Sequence, residues 1–325
     1  MTMPSIPLAK AVGPSDTSTS VVIGGSGPQI RCGKVQLTTY RDIVYDTSKS
    51  SGTEIPLKLD VVVPQSPGRK PLVVYITGGG FLRSDKTANL DQRTYVAEQG
   101  YVVASVEYRT VTTCATYTDS VADIKSAIRY LRAHADRYGI NISKAAVWGQ
   151  SAGGYLAAMT GVTDGLKQFE NGANPGQSST VQAVVDEFGP CDISTLASDY
   201  DVATQATTYA SGNSLAQFIF GSGTTLSVKD NPTSMAAANP VIYVSPASPP
   251  FLLLHGSADQ LVSPSQTVML HNALRARGVE STRYVIMGAN HGDLTFLGFD
   301  PNVAKPWSSE HVMHGIVSFL SKHLG

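Results

Sequence analysis

The chain has 325 residues, of which 42% are hydrophobic and 15% charged, with a formal net charge of -1. That is enough apolar material for one large core, and so small a charge makes no electrostatic case for binding nucleic acid or an anionic membrane. No apolar run reaches the length of a membrane-spanning helix, and the N-terminus lacks the basic and apolar regions of a signal peptide. The expectation is a soluble protein, cytoplasmic or secreted with its signal absent from this sequence.

Residues 1 to 34, rich in Ser, Thr, Gly and Pro, have no sustained period and are expected to form a flexible N-terminal arm. The run Gly24-Gly25-Ser26-Gly27 lies in no strand–helix frame, so it reads as a turn and not as a phosphate loop. From residue 35 to 325 one domain is expected. VQLTTYRDIVYD and PLKLDVVVP are extended segments, the second stopped by Pro64. PLVVYIT, YVVASVEYR, KAAVWGQ, VQAVVDEFG, FLLLHGS and TRYVIM follow as short runs rich in Val, Ile and Tyr, making eight strands in all. Helices are predicted around 87–98, 119–137, 152–162, 264–278 and 308–323. The clearest places Val121, Ile124, Ala127, Ile128 and Leu131 on one face, with Gly139 as its cap. Apolar strands alternating with amphipathic helices predict an α/β fold, a mostly parallel sheet flanked by helices. Residues 192–247, after the sixth strand, break the alternation. A structureless loop of that length does not suit a compact domain, so a small cap insertion is expected there.

Cys32, Cys114 and Cys191 are too few for a disulfide scaffold and lack metal-ligand spacing; whether Cys114 and Cys191 pair depends on whether their loops meet. GQSAGG, residues 149–154, follows the strand KAAVW and opens an Ala-rich helix. A G-x-S-x-G motif in that setting is a nucleophile elbow: Ser151 projects its hydroxyl from a strained turn, and Gly149 and Gly153 let strand and helix approach. A serine hydroxyl needs a base, and the base needs an orienting acid. His134 and His271 lie within predicted helices, His311, His314 and His323 on the last one, and His255 ends a strand as a structural neighbour. Only His291 falls on a loop after the final strand, and Asp259 stands on the loop after FLLLHGS. Asp293 is a rival acid, but it is too close in sequence to reach the far ring nitrogen of His291. His311, His314 and Glu310 lack a third metal ligand and read as a solvated helix face, so no metal is expected. ITGGGF, residues 76–81, resembles the HGGG-type loop whose main-chain N–H groups bind an oxyanion. Gly79, Gly80 and Ala152 are the expected donors. The departure is Thr77, where such loops usually carry a His that braces them.

From about residue 55 onward the chain resembles the esterase/lipase branch of the α/β-hydrolases. It looks closest to the feruloyl- and acetylxylan-esterase (BD-FAE) group, next to the hormone-sensitive-lipase-like enzymes. The stretches that carry the resemblance include VVYITGGGF, DIKSAIRYLRAHADRYGI, WGQSAGGYLAA, VVDEFGPCDIS, FLLLHGSADQLVSPSQ and GANHGD. The resemblance implies an α/β-hydrolase fold with Ser151, Asp259 and His291 as a triad and Gly79, Gly80 and Ala152 as the oxyanion hole. It implies a carboxylesterase acting on a small-molecule ester without any cofactor. Phe81, Leu82 and Tyr155, beside the glycine loop and the elbow, are the candidate substrate contacts, with Tyr200, Tyr209, Phe218 and Phe220 in the cap. If they line a pocket, it suits short-chain or aromatic esters; the equal alternative is that they pack the cap onto the domain. Two further readings are a serine peptidase or amidase of the same fold and a catalytically silent binding module. The oligomeric state is not legible.

Overall fold

The computed structural model describes residues 16–50, 53–292 and 301–325. The strands are β1 (Val21–Gly24), β2 (Leu37–Ser50), β3 (Thr53–Pro64), β4 (Lys70–Ile76), β5 (Val102–Val106), β6 (Ile140–Gln150), β7 (Ala183–Glu187), β8 (Phe251–Gly256) and β9 (Ser281–Met287). The helices are α1 (Leu90–Glu98), α2 (Tyr117–Ala133), α3 (Ala135–Tyr138), α4 (Ala152–Val162), α5 (Val202–Thr208), α6 (Ser214–Phe220), α7 (Pro232–Ala237), α8 (Ser265–Ala276) and α9 (Glu310–Leu324). The strands form one sheet in the order β1-β9-β8-β7-β6-β4-β5-β3-β2. Among the described strands, only β2–β3 and β3–β5 pair antiparallel. This is the α/β-hydrolase architecture, with the sheet covered on both faces.

Alternation along the strands divides the core in two. Leu72, Val74 and Ile76 of β4 pack on one face with Ile124 and Ile128 of α2, Leu156 and Met159 of α4, and Leu270 and Leu274 of α8. Val73 and Tyr75 face the opposite way, toward Val96 of α1 and Met313, Ile316 and Leu320 of α9. Because both faces are buried, the strands are apolar at nearly every position, the continuous pattern seen in the sequence.

Two expectations need correction. The sheet has nine strands, not eight, because part of the N-terminal arm is ordered. Val21–Gly24 runs parallel to β9, Ile30 N–H donates to the Ser308 carbonyl, and Glu310 N–H donates to that of Pro28. Four residues between Ser-rich and Gly-rich flanks carry too little pattern to read as a strand; they are ordered by the ladder that β9 offers. The helix expected over 119–137 starts earlier, at Tyr117, and breaks at His134, and Gly139 (φ 66°) closes the short α3. The segment between β7 and β8, where a cap is expected, is built from α5, α6 and α7, each short and each started by a polar side chain. Asp201, Asn213 and Asn231 accept the N–H groups of Thr204, Ala216 and Ser234. Such capping explains why a Ser-, Thr- and Asn-rich stretch without a strong period is helical.

Candidate active site

Ser151 stands between β6 and α4 with φ 55° and ψ -122°, a conformation that costs a non-glycine residue about 1–3 kcal/mol. Its surroundings enforce it. A Cβ on Gly149 would come 2.0 Å from the Gly153 oxygen, and one on Gly153 would come 2.1 Å from the Ile76 oxygen. Strand, turn and helix are therefore in direct backbone contact, and the Ser151 N–H is tied to the Glu187 carbonyl at 2.9 Å.

The loops after β8 and β9 bring two more groups to the hydroxyl. His291 Nε2 lies 2.7 Å from Ser151 Oγ, and Nδ1 lies 2.8 Å from Asp259 Oδ2. Asp259 Oδ1 accepts the N–H groups of Leu261 and Val262 at 2.9 and 3.0 Å. Complete burial would push the Asp259 carboxyl up, but His291 and His255 beside it hold it well below the usual carboxylate range. An ionised Asp259 fixes the proton of His291 on Nδ1 and leaves Nε2 free to accept from the serine. Asp293, the rival acid, lies outside the described residues.

The glycine loop crosses the elbow. A Cβ on Gly78 would meet Ser151 Cβ at 3.1 Å. Gly79 (φ 154°) and Gly80 (φ 61°) follow, and a Cβ on Gly79 would strike the Arg83 carbonyl at 2.1 Å. Among the described residues no hydrogen bond uses the N–H groups of Gly79, Gly80 or Ala152. Three such donors beside a serine hydroxyl can receive a negatively charged oxygen. Thr77 braces this loop by other means than a histidine: its hydroxyl accepts the Asp85 N–H at 3.2 Å, and its carbonyl accepts the Tyr108 hydroxyl at 2.9 Å.

The aromatic residues beside the loop are placed differently from the pocket expectation. Phe81 is 2% exposed and Tyr155 fully buried. Phe81 stacks on Phe218 of α6 at 4.0 Å and meets Tyr155 edge-on at 5.6 Å, while the Tyr155 hydroxyl donates to the Ala238 carbonyl. These rings join the cap to α4 and the glycine loop, because aromatic surface of that size gains more from burial than from lining open solvent. Tyr200, Tyr209 and Phe218 are buried in the same way; Leu82 alone of the three candidate contacts is exposed.

Several residues the sequence reading passed over complete the site. Phe188, at φ 46°, packs edge-on against the His291 ring at 4.7 Å and against Trp307 at 4.4 Å. Asn290 Oδ1 accepts the N–H groups of His291 and Gln260. Its place next to His291 is the one signal that could have marked it. Behind the elbow, Glu187 accepts from Trp148 Nε1 and Gln150 Nε2, and Gln150 in turn is bonded to Tyr75, Asn89 and Gln92. Burial pushes the Asp186 and Glu187 carboxyls each up to about 7. Cys32, Cys114 and Cys191 are free thiols, so no Cys114–Cys191 bridge forms. No group of three or more potential metal ligands occurs among the described residues, and no helix there is long and apolar enough to cross a membrane.

The BD-FAE family model matches residues 59–274, most of the chain. The chain belongs to the BD-FAE family. Esterase LipC of Mycobacterium tuberculosis is 26% identical over 266 residues, which cover 80% of this chain and 62% of LipC. The chain thus spans less than two thirds of that relative's length. A truncated carbohydrate esterase from gut microbiota shares the fold with a TM-score of 0.74 at 23% identity, covering 92% of this chain and 99% of that one. Propionate-bound Est2 of Thermogutta terrifontis has a TM-score of 0.64 at 25% identity, covering 89% and 94%.

Proposed function

We propose that this BD-FAE protein is a carboxylesterase that works through an acyl-Ser151 intermediate. The observation that carries the reading is the hydrogen-bonded series Ser151–His291–Asp259, set at an elbow directly beneath the glycine loop. His291 Nε2 takes the proton as Ser151 Oγ attacks the ester carbonyl. The N–H groups of Gly79, Gly80 and Ala152 hold the oxyanion that forms. Collapse of this intermediate expels the alcohol, which receives the proton from His291. Water, activated by the same imidazole, then attacks the acyl-enzyme and releases the acid. Asp259 keeps His291 in the required tautomer and stabilises the imidazolium.

The ester is of short-chain or aromatic type, on two supports. Phe81, Tyr155 and Phe218 pack together between the glycine loop and the cap, which favours a small acyl group beside that loop. Est2, at 25% identity, has been solved with propionate bound. The test is a series of p-nitrophenyl esters of rising chain length, with a feruloyl ester beside it. Turnover concentrated on acetyl to butyryl or on the feruloyl ester is expected, and a preference for long chains overturns this substrate class. A fluorophosphonate probe should label Ser151; an unlabelled serine overturns the mechanism.

A further inference from the structure

The Asp259 carboxylate has a second imidazole beside it. His255, the fifth residue of β8, is completely buried, and its Nε2 lies 3.1 Å from Asp259 Oδ2 and 3.0 Å from the Val262 carbonyl. Both neighbours can only accept, so Nε2 carries a proton. Its other nitrogen, Nδ1, faces Thr267 Oγ1 of α8 at 3.0 Å. That oxygen already accepts the Nε–H of Arg283 from β9 at 2.9 Å, and an arginine Nε can only donate. The Thr267 hydroxyl is therefore left to donate, and at 3.0 Å His255 Nδ1 is a better acceptor than the Pro264 carbonyl at 3.4 Å. The donors run in one sense, from Arg283 through Thr267 to His255 and on to the Asp259 loop. The partners on either side thus fix His255 as the Nε2–H tautomer.

We propose that His255 is a positioning residue for hydrolysis, acting through Asp259, with Thr267 and Arg283 setting its tautomer. The inference rests on the triad reading above. The geometry shows how it acts. Val262 donates its N–H to Asp259 Oδ1 while its carbonyl accepts from His255. One imidazole thus pins the turn that holds the carboxylate and places an N–H dipole against the oxygen that His291 uses. Without that dipole, Asp259 would turn more negative potential on His291 and hold the imidazolium more tightly. The base would then be freed only at higher pH. The charged and titratable groups that bear on His255 are Asp259, Arg283 and, across the carboxylate, His291.

The test compares His255→Phe, which keeps a ring of similar size without the donor, with His255→Gln, which keeps an N–H at a similar reach. Each full-length variant is assayed on p-nitrophenyl acetate, with active sites counted by fluorophosphonate labelling. For His255→Phe, kcat per labelled site should fall about tenfold or more, the loss of one charge-assisted hydrogen bond, with KM little changed. The acid limb of its kcat/KM profile should move to higher pH. His255→Gln should recover most of the rate and return the limb toward that of the parent. A His255→Phe protein with parental kcat per labelled site and an unmoved limb overturns the proposal, even if it is less stable. Should that variant not fold, the long-range 1H–15N spectrum of the parent chain decides. A His255 ring protonated on Nε2 and bare on Nδ1 is expected; a ring carrying a proton on Nδ1 overturns the proposal. A parent chain that does not label at Ser151 removes the triad reading and this inference together, whereas normal parental turnover with an indifferent His255→Phe removes this inference alone.

Discussion

Phe81 and Phe218 lie 4.0 Å apart with their planes only 15° from parallel, so the residue that ends the glycine loop is stacked on a buried ring of the cap helix α6. Loop and cap are mechanically joined at that contact. Phe218→Ala should cost about 3 kcal/mol of stability, since it leaves a cavity against both Phe81 and Tyr155. Chemical denaturation would read that loss. The variant should also turn over more slowly, because Phe81, at φ 61°, is held in its strained conformation by this packing.

Ser151→Ala should lower kcat by about 10^4-fold or more while leaving the fold intact, since it removes the one nucleophile of the mechanism. Loss of p-nitrophenyl acetate turnover with an unchanged melting profile would confirm both halves of that expectation.

Tyr108→Phe isolates the bracing of the glycine loop. The Thr77 carbonyl is buried and accepts the Tyr108 hydroxyl. Its loss leaves an unsatisfied buried acceptor, at a cost of about 1–3 kcal/mol. A several-fold fall in kcat with little change in KM is expected, because the Gly79 and Gly80 donors act on the oxyanion more than on the bound ester.

Asp186 and Glu187 predict how stability varies with pH. Burial holds both carboxyls up at about 7, and Asp186 Oδ2 has no hydrogen-bond partner among the described residues. In the unfolded chain these groups release their protons near pH 4, while the folded chain retains them to about 7. The folded state therefore binds more protons in that interval, and these groups make stability fall as pH rises through it, with no further loss above it. Asp186→Asn, which cannot ionise, should flatten part of that decline. Thermal melts from pH 5 to 9 would show it; a slope unchanged by the substitution would contradict it.

The triad candidates were legible because each depends on local order: a strand, a turn and a polar residue at the strand's C-terminal end. Ser151, Asp259 and His291 all meet that description, and the sheet brings them together. The roles of Phe81 and Tyr155 were not legible. An aromatic residue beside an elbow has the same local pattern whether it faces a ligand or a cap, and only the path of α6 decides. His255 was passed over for a related reason. Its partners Thr267 and Arg283 come from α8 and β9, and no spacing along the chain records that they converge. The strand Val21–Gly24 was hidden because its order comes from β9, more than 250 residues away.

That strand also changes what the molecule offers to its own copies. Without it, this edge of the sheet would be the seven-residue β9, with the amide and carbonyl groups that point away from β8 left unpaired. With it, Tyr284–Met287 are covered by a four-residue strand that ends at a Gly pair, the second of which leaves no room for a side chain against the Met287 carbonyl. A short, abruptly ended border is a poor template for strand addition. The N-terminal segment thus works as a selvedge along this edge, shortening the template that another strand could extend.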